Sequence, residues 1–495
     1  MSLALIKSRA LLGLAAPEVR VEVHLANGLP AFNLVGLPET AVKESRDRVR
    51  SALLTAGFEF PSRRITVNLS PADLPKEGGR YDLPIALGIL VASGQVPATQ
   101  VDNFEFVGEL ALNGELRAVK GILPTALAVA QKKGKLLLPA DNAAEAALVS
   151  QLEVRAASHL LDVSGYLLGQ VPLPLAEAGS LAPEVHTGPD LADIKGQAAA
   201  KRALEIAAAG GHNLLFKGPP GSGKTLLASC LPGLLPALDE EEALQVAAID
   251  SITRGFDPGR WRQRPFRSPH HSSSAVALVG GGSNPRPGEI SLAHQGVLFL
   301  DELPEFARQV LEVLREPLES GEIHLARAAR RATYPARFQL VAAMNPCPCG
   351  HLGNSEQSCS CSPGQIQRYQ GRLSGPLLDR IDLHLEVPVL PPEELWKPSQ
   401  GESSQQVRAR VVQARQRQKQ RAGKLNAHLS AAELEAGVPL DSELQQLLSQ
   451  AMTKMKLSAR AAHRVLKVAL TLADLEEHKL SRHHLLEAMG YRQFL

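Results

Sequence analysis

The segment from Asn213 to Leu231 constrains this chain more than any other. A short apolar strand, Asn213 to Phe216, runs into Gly218-Pro219-Pro220-Gly221-Ser222-Gly223-Lys224-Thr225, and the helical pattern Leu226 to Leu231 follows. This is a P-loop in the strand–loop–helix setting that it requires. Glycines let backbone N–H groups close around phosphates, and the helix N-terminus adds positive potential. The pattern assigns Lys224 to the β- and γ-phosphates and Thr225 to Mg²⁺, so ATP and Mg²⁺ are the expected ligands. A turn rich in glycine that binds nothing would not need all eight positions in register.

The second half of such a site is legible downstream. Gly296-Val-Leu-Phe-Leu-Asp301-Glu302 is an apolar run ending in two acids. Four consecutive apolar residues fit a strand buried on both faces. Carboxylates at its end are costly without a cation. Asp301 is therefore the expected Mg²⁺ partner, and Glu302 the base that orients the attacking water. A third apolar strand, Phe338 to Ala343, ends at Met344-Asn345, which places the Asn345 amide where a γ-phosphate sensor belongs.

With 495 residues, 44% of them hydrophobic, the chain is long enough for roughly three folded domains. Alternating strands (Val19 to Leu25, Ile65 to Leu69), a helix-length apolar run (Asp82 to Ser93) and a hairpin about Asn113-Gly114, with arms Phe104 to Leu112 and Glu115 to Val119, predict an α+β domain over 1–168. Residues 169–189 read as a linker. Residues 190–390 read as an α/β nucleotide core, 391–404 as a second linker, and 405–495 as a helical bundle. The net charge of +2 does not announce a nucleic-acid binder, so any such surface must be local. No apolar run reaches the ~20 residues that cross a bilayer. The apolar stretch Ala10 to Ala16 is short for a signal peptide and strand residues follow it at once, so no membrane partner and a cytoplasmic location are expected.

Four of the five cysteines fall at Cys347, Cys349, Cys359 and Cys361. Two Cys-x-Cys pairs suit a tetrahedral structural Zn²⁺, with His351 as an alternative ligand and reduced loop thiols as the plainer reading. Cys230, in the helix after the P-loop, reads as an inert buried residue. Arg408 to Lys424 holds seven basic residues and no acid, with Arg410, Arg417, Arg421 and Lys424 at heptad-like spacing. Such a face is either a solvated charged helix or a contact for a nucleic-acid backbone.

Together these residues resemble the AAA+ class in its magnesium-chelatase branch, and the whole sequence resembles the ComM (YifB) family. The resemblance is carried by Phe32-Asn-Leu-Val-Gly-Leu-Pro-Glu39, Val42 to Arg50, Asn68 to Gly79, Arg264-Pro-Phe-Arg-Ser-Pro-His-His271 and Pro287 to His294. It implies an α/β P-loop AAA+ core with a helical lid. That core is preceded by an α+β domain like the Lon protease domain, with a ribosomal S5 domain 2-like fold. It also implies that Arg380 is an arginine finger for a neighbouring subunit and that Arg460 is the lid arginine contacting the γ-phosphate. A finger in trans requires head-to-tail contact, and related rings are hexamers.

By the same resemblance Gly288 to His294 and Gly321 to Arg331 are pore inserts, both expected as hairpin arms. His324, Arg327, Arg330 and Arg331 of the second would contact DNA. The Lon-like domain lacks a Ser–Lys dyad. Arg80-Tyr81-Asp82 follow Pro75 to Gly79 where the nucleophile would lie, Leu123 stands at the lysine position, and only Ser70 with Lys120 offers a substitute. The function implied is an ATP-driven ring acting on single-stranded, forked or branched DNA. This would be a branch-migration helicase of natural transformation and recombination, with recombination proteins as partners. Chelatase-type or protein-remodelling work is the alternative, and an ATP-dependent protease a weaker one.

Overall fold

A computed structural model describes residues 3–492 apart from 38, 180–187, 283–284, 328–329, 354–356, 392, 395–400 and 439. The side chains of Arg327 and Arg330, two of the expected DNA contacts, lie outside what is described. The chain forms two compact units. One comprises Met1–Pro183, Glu240–Trp261 and Ala328–Thr333, and the other comprises Glu184–Asp239, Arg262–Arg327 and Tyr334–Leu495.

The first unit is built on a mixed sheet of seven strands: β1 (Leu3–Arg9), β2 (Glu18–Ala26), β3 (Ala31–Val35), β4 (Arg64–Ser70), β5 (Phe104–Phe106), β6 (Lys135–Pro139) and β7 (Glu153–Ala157). Their order is β3-β4-β2-β1-β5-β6-β7. The alternation in β2 buries Val19, Val21, Val23 and Leu25 on one face, as its period of two requires. The helix Asp82–Ala92 is buried along its whole length. Its Asp82 takes bonds from Arg48 at 2.7 and 3.1 Å and from the Leu110 N–H at 3.2 Å, so an acid inside the unit keeps partners.

The hairpin about Asn113-Gly114 is shorter than expected. Phe104–Phe106 pairs in parallel with both β1 and β6, and only Glu109–Leu110 faces Leu116–Arg117. All three residues of β5 are buried, which selects a central strand over a solvated hairpin arm. The helix Glu240–Thr253 groups with this unit. Its Ala247 and Ala248 join the core of the helix Ile122–Gln131, and its Ser251 carbonyl accepts the Gly121 N–H at 3.1 Å.

The second unit holds a sheet of five parallel strands: β8 (Leu214–Lys217), β9 (Phe266–Arg267), β10 (Val297–Leu300), β11 (Gln339–Met344) and β12 (Leu383–Glu386), in the order β9-β10-β11-β8-β12. β10 and β11 are buried at every position, as strands covered on both faces must be. Crossovers are needed to keep all strands parallel, and they bring the strand C-terminal ends to one rim, where such sheets bind ligands. From Ser404 onward the described chain is helical: Ser404–Ala422, Ala431–Gly437, Ser442–Met455, Ala459–Glu476 and Arg482–Gly490, with one short 3₁₀ turn at Asn426–His428. Serine or aspartate caps, Ser403, Ser430, Asp441 and Ser458, begin four of these helices.

The two inserts differ. Glu322–Arg327 and Arg330–Pro335 form a two-stranded sheet, as expected. Glu289–Leu292 is a helical turn, where a hairpin arm was expected. Ile290 and Ala293, three residues apart, both bury against the β10–β11 core, and that spacing selects a helix. Glu289 is held by Arg267 at 2.6 and 2.7 Å.

Candidate active site

The P-loop leaves the end of β8 and enters the helix Lys224–Leu234. Gly223 is the N-cap at φ +86°, a left-handed conformation that glycine adopts without steric cost, and no side chain caps the helix. The first N–H groups of that helix are thus presented to an incoming anion. Lys224 is largely buried, and its ammonium donates to the carbonyls of Gly218 and Pro219 at 2.8 Å each and to Asn345 Oδ1 at 3.3 Å. Burial lowers its pKa, while Asp301 and Glu302 oppose that shift. A cation held only by neutral oxygens at the mouth of a P-loop suits phosphate.

β10 and β11 deliver the remaining groups to the same rim. Thr225 Oγ1 donates to Asp301 Oδ2 at 2.7 Å, so the two oxygens assigned to Mg²⁺ are adjacent. This hydroxyl and carboxylate, both hard oxygen donors, fit that ion. The Glu302 backbone lies at φ +52°, the left-handed region, and its N–H is fixed by Asp301 Oδ1 at 2.9 Å. Such a conformation costs on the order of 1–3 kcal/mol in a non-glycine residue and collects at active sites. The structure therefore gathers Gly218 to Thr225, Asp301, Glu302 and Asn345 at one place.

Sequence reasoning did not single out His271 as a site residue. It follows β9, the strand beside β10, and its Nδ1 lies 3.1 Å from Glu302 Oε2. Its ring lies tilted against His270, with centroids 4.1 Å apart, and meets Phe306 edge-on at 6.5 Å. The available signal was the His270-His271 pair itself, among the residues that carry the family resemblance.

Arg380 and Arg460 line a different place. The Arg380 side chain is 6% exposed. It donates to the Pro376 carbonyl and to Glu319 Oε1, each at 2.6 Å. Arg460 is half exposed and lies 3.4 Å from the same Glu319 oxygen.

The four cysteines converge directly after Asn345. Their sulfurs lie within 4.8 Å of one another, with Cys347–Cys349 at 3.4 Å, Cys347–Cys359 at 3.6 Å and Cys349–Cys359 at 3.5 Å. A disulfide needs about 2.05 Å, whereas thiolates at ~2.3 Å from zinc stand roughly 3.8 Å apart in a tetrahedron. Backbone N–H groups of Cys349, Leu352 and Cys361 point at the sulfurs of Cys361, Cys347 and Cys359, each at 3.4 Å, as around metal-bound thiolates. These four residues could hold a metal ion such as zinc. The knuckle also abuts the P-loop. Gly350, at φ +84°, lies so close to Pro220 that an added Cβ would stand 2.5 Å from its ring.

The basic helix Ser404–Ala422 is matched internally. Arg410 pairs with Glu205 at 2.7 Å and Glu402 at 2.6 Å, Arg417 with Glu477, and Arg421 with Asp474 at 2.7 Å. Lys424, just past its end, pairs with Glu433 at 2.7 Å. In the second insert His324 and Arg331 are exposed, while Ile323 is buried. No helix among the described residues is long and apolar enough to cross a membrane.

Comparison with known families places three matches along the chain. "Magnesium chelatase, subunit ChlI" covers residues 190–395, "Subunit ChlI of Mg-chelatase" covers 21–142, and "Magnesium chelatase, subunit ChlI C-terminal" covers 401–492. Competence protein ComM of Haemophilus influenzae is 55% identical over 499 residues, spanning 99% of this chain and 98% of that protein. YifB of Escherichia coli is 52% identical over 496 residues, spanning 99% and 97%. Lon protease 2 of Bacillus subtilis is 26% identical over 152 residues, spanning 28% of this chain and 26% of that protein.

Proposed function

The chain belongs to the ComM (YifB) family of magnesium-chelatase-like proteins, and from that premise we propose that it is an ATPase that assembles as a ring and drives branch migration of DNA. The observation that carries the ATPase reading is the meeting of Lys224, Thr225, Asp301, Glu302 and Asn345 at the rim of one parallel sheet. In this reading Lys224 leaves its loop carbonyls for the β- and γ-phosphates, and Asn345 marks the γ-phosphate. Thr225 and Asp301 would hold Mg²⁺, which would supply charge neutralisation at the phosphates. Glu302, steered by His271, orients the water. Cys347, Cys349, Cys359 and Cys361 would hold a zinc ion through four thiolates, and its role would be structural.

DNA as the substrate is supported by the competence protein among its relatives. We assign the contact to the insert Glu322–Pro335 rather than to the helix Ser404–Ala422, whose Arg410, Arg417 and Arg421 already have acidic partners. Arg380 and Arg460 stand together at Glu319, which supports a shared role toward a neighbour's nucleotide and hence a ring, by family analogy a hexamer.

ATP hydrolysis measured with and without single-stranded, duplex and forked DNA, in wild type and Glu302→Gln, tests this reading. Stimulation by DNA that vanishes in the variant is expected. Hydrolysis indifferent to every DNA, with no binding at low salt, overturns the motor and favours chelatase-type remodelling of a protein partner.

A further inference from the structure

Glu319 sits where three features meet. Its Oε1 takes Arg380 Nη2 at 2.6 Å and Arg460 Nη2 at 3.4 Å, so one carboxylate oxygen holds both arginines. Arg380 is buried rather than projecting, and its Nε has no hydrogen-bond partner. Beside it opens a cleft of about 370 Å³ lined by Glu312, Arg315, Glu316, Glu319, Ser320 and Arg380. Glu312 is engaged by Arg315 at 2.6 Å, so it does not compete for Arg380. Glu319 belongs to the short helix Pro317–Ser320. A single residue, Gly321 at φ +72°, separates that helix from the strand Glu322–Arg327 of the insert. Ser320 Oγ donates to the carbonyls of Glu316 and Glu322, each at 3.0 Å, and ties the helix to the start of that strand.

We infer that Glu319 is a positioning residue that stows Arg380 and Arg460 and links their release to the insert Glu322–Pro335. The inference rests on the proposed roles of the arginines toward a neighbour's ATP and of the insert toward DNA. A buried guanidinium bonded to a carboxylate cannot serve a phosphate, so Arg380 must first exchange Glu319 for the triphosphate. Because Glu319 and the insert share one short, braced segment, a pull on the insert by a nucleic-acid backbone moves the carboxylate away from the arginines. DNA then accelerates hydrolysis at the adjoining subunit without touching the nucleotide.

The test uses the full chain carrying Glu319→Gln, with Glu319→Asp as the conservative variant. For Glu319→Gln, kcat without DNA is expected to rise by about tenfold, the worth of one charge-assisted contact. KM for ATP is unchanged, and stimulation by forked DNA shrinks toward unity. Glu319→Asp retains most of the stimulation. A destabilised fold would instead lower kcat in all conditions, and that result overturns the latch, as does an unchanged stimulation ratio. Mixing Arg380→Ala chains with Glu302→Gln chains separates the two layers. Recovered hydrolysis in the mixture, with Glu319→Gln indistinguishable from wild type, overturns the latch alone. No recovery overturns the trans reading and the latch with it.

Discussion

Glu302 reaches its position through a left-handed backbone and a histidine from the neighbouring strand segment, and each suggests a measurement. Replacing Glu302 with glutamine keeps the shape and removes the proposed base. ATP binding is expected to persist while kcat falls by about 10²–10⁴-fold, the usual worth of a general base. Single-turnover hydrolysis beside equilibrium nucleotide titration separates the two. His271→Ala removes the imidazole that steers the carboxylate. A hydrogen bond to a charged group is worth ~1.5 kcal/mol, so kcat drops by about tenfold with nucleotide affinity unchanged. Weaker nucleotide binding with an intact kcat would instead place His271 on the nucleotide.

Glu302 was legible in the sequence and His271 was not, for a physical reason. The acid ends a run of apolar residues, a local pattern, whereas the imidazole matters only because β9 lies beside β10. The same limit hid Glu205, Glu477 and Asp474, which pair with Arg410, Arg417 and Arg421 and lie far away along the chain. It also hid β1. Its Arg9 is buried against Glu105 of β5 at 2.5 and 2.6 Å, a pair 96 residues apart in the chain.

Among the elements, the cysteine knuckle joins the end of β11 to the P-loop, because Cys347 follows Asn345 by two residues and Gly350 packs on Pro220. A cross-link closing a loop of ~15 residues contributes about 3 kcal/mol by restricting the unfolded chain. If the four cysteines hold zinc as proposed, removing it with a chelator, or substituting Cys347→Ser, is expected to lower Tm by several degrees. Because the knuckle touches both the sensor strand and the P-loop, nucleotide affinity should fall along with stability. Metal content, Tm and binding of a fluorescent ATP analogue check this together. An unchanged affinity in metal-free protein would confine the knuckle to stability. The cysteine spacing and the buried strands were readable because both are local. The helical turn Glu289–Leu292 was not, because the core that captures Ile290 and Ala293 comes from β10 and β11.

A further tie joins β12 to the C-terminal helices. Asp382 is buried, accepts the Asn213 N–H at 3.0 Å, and pairs with Arg464 of the helix Ala459–Glu476 at 2.5 Å. Burial disfavours its charged form, but Arg464 and His212 outweigh burial and hold the carboxyl far below its ordinary range. A depressed folded pKa means the contribution is fully present above the unfolded value of about 3.9 and is lost as pH falls below it. Asp382→Asn leaves the mostly enclosed Arg464, 17% exposed, without its charge partner. It should cost roughly 3–5 kcal/mol at neutral pH and flatten the acid limb of the stability curve below about pH 4. Denaturant midpoints across that range report both effects, and a variant with an unaltered acid limb would assign the limb to other carboxylates.

At the scale of the whole molecule, the proposed ring needs a second copy to bring the arginine pair of one chain to the nucleotide groups of another. Lys224 makes its contacts with Gly218, Pro219 and Asn345, while Arg380 and Arg460 meet at Glu319. In that reading an isolated chain binds ATP with its own residues and lacks the neighbour's guanidinium that would meet charge developing on the transferred phosphoryl group. An arginine supplied in trans is worth about 10³–10⁵ in turnover. Turnover per chain should accordingly rise steeply with protein concentration and level off once rings form. The nucleotide dissociation constant, set by groups of one chain, should vary far less. Arg380→Ala should flatten the concentration dependence at the low value of the isolated chain while leaving ATP binding intact. Hydrolysis assayed across a dilution series, alongside mass measured in solution at each concentration, checks this directly. Turnover per chain that stays constant through the change from single chains to assemblies would mean that each subunit completes its own site.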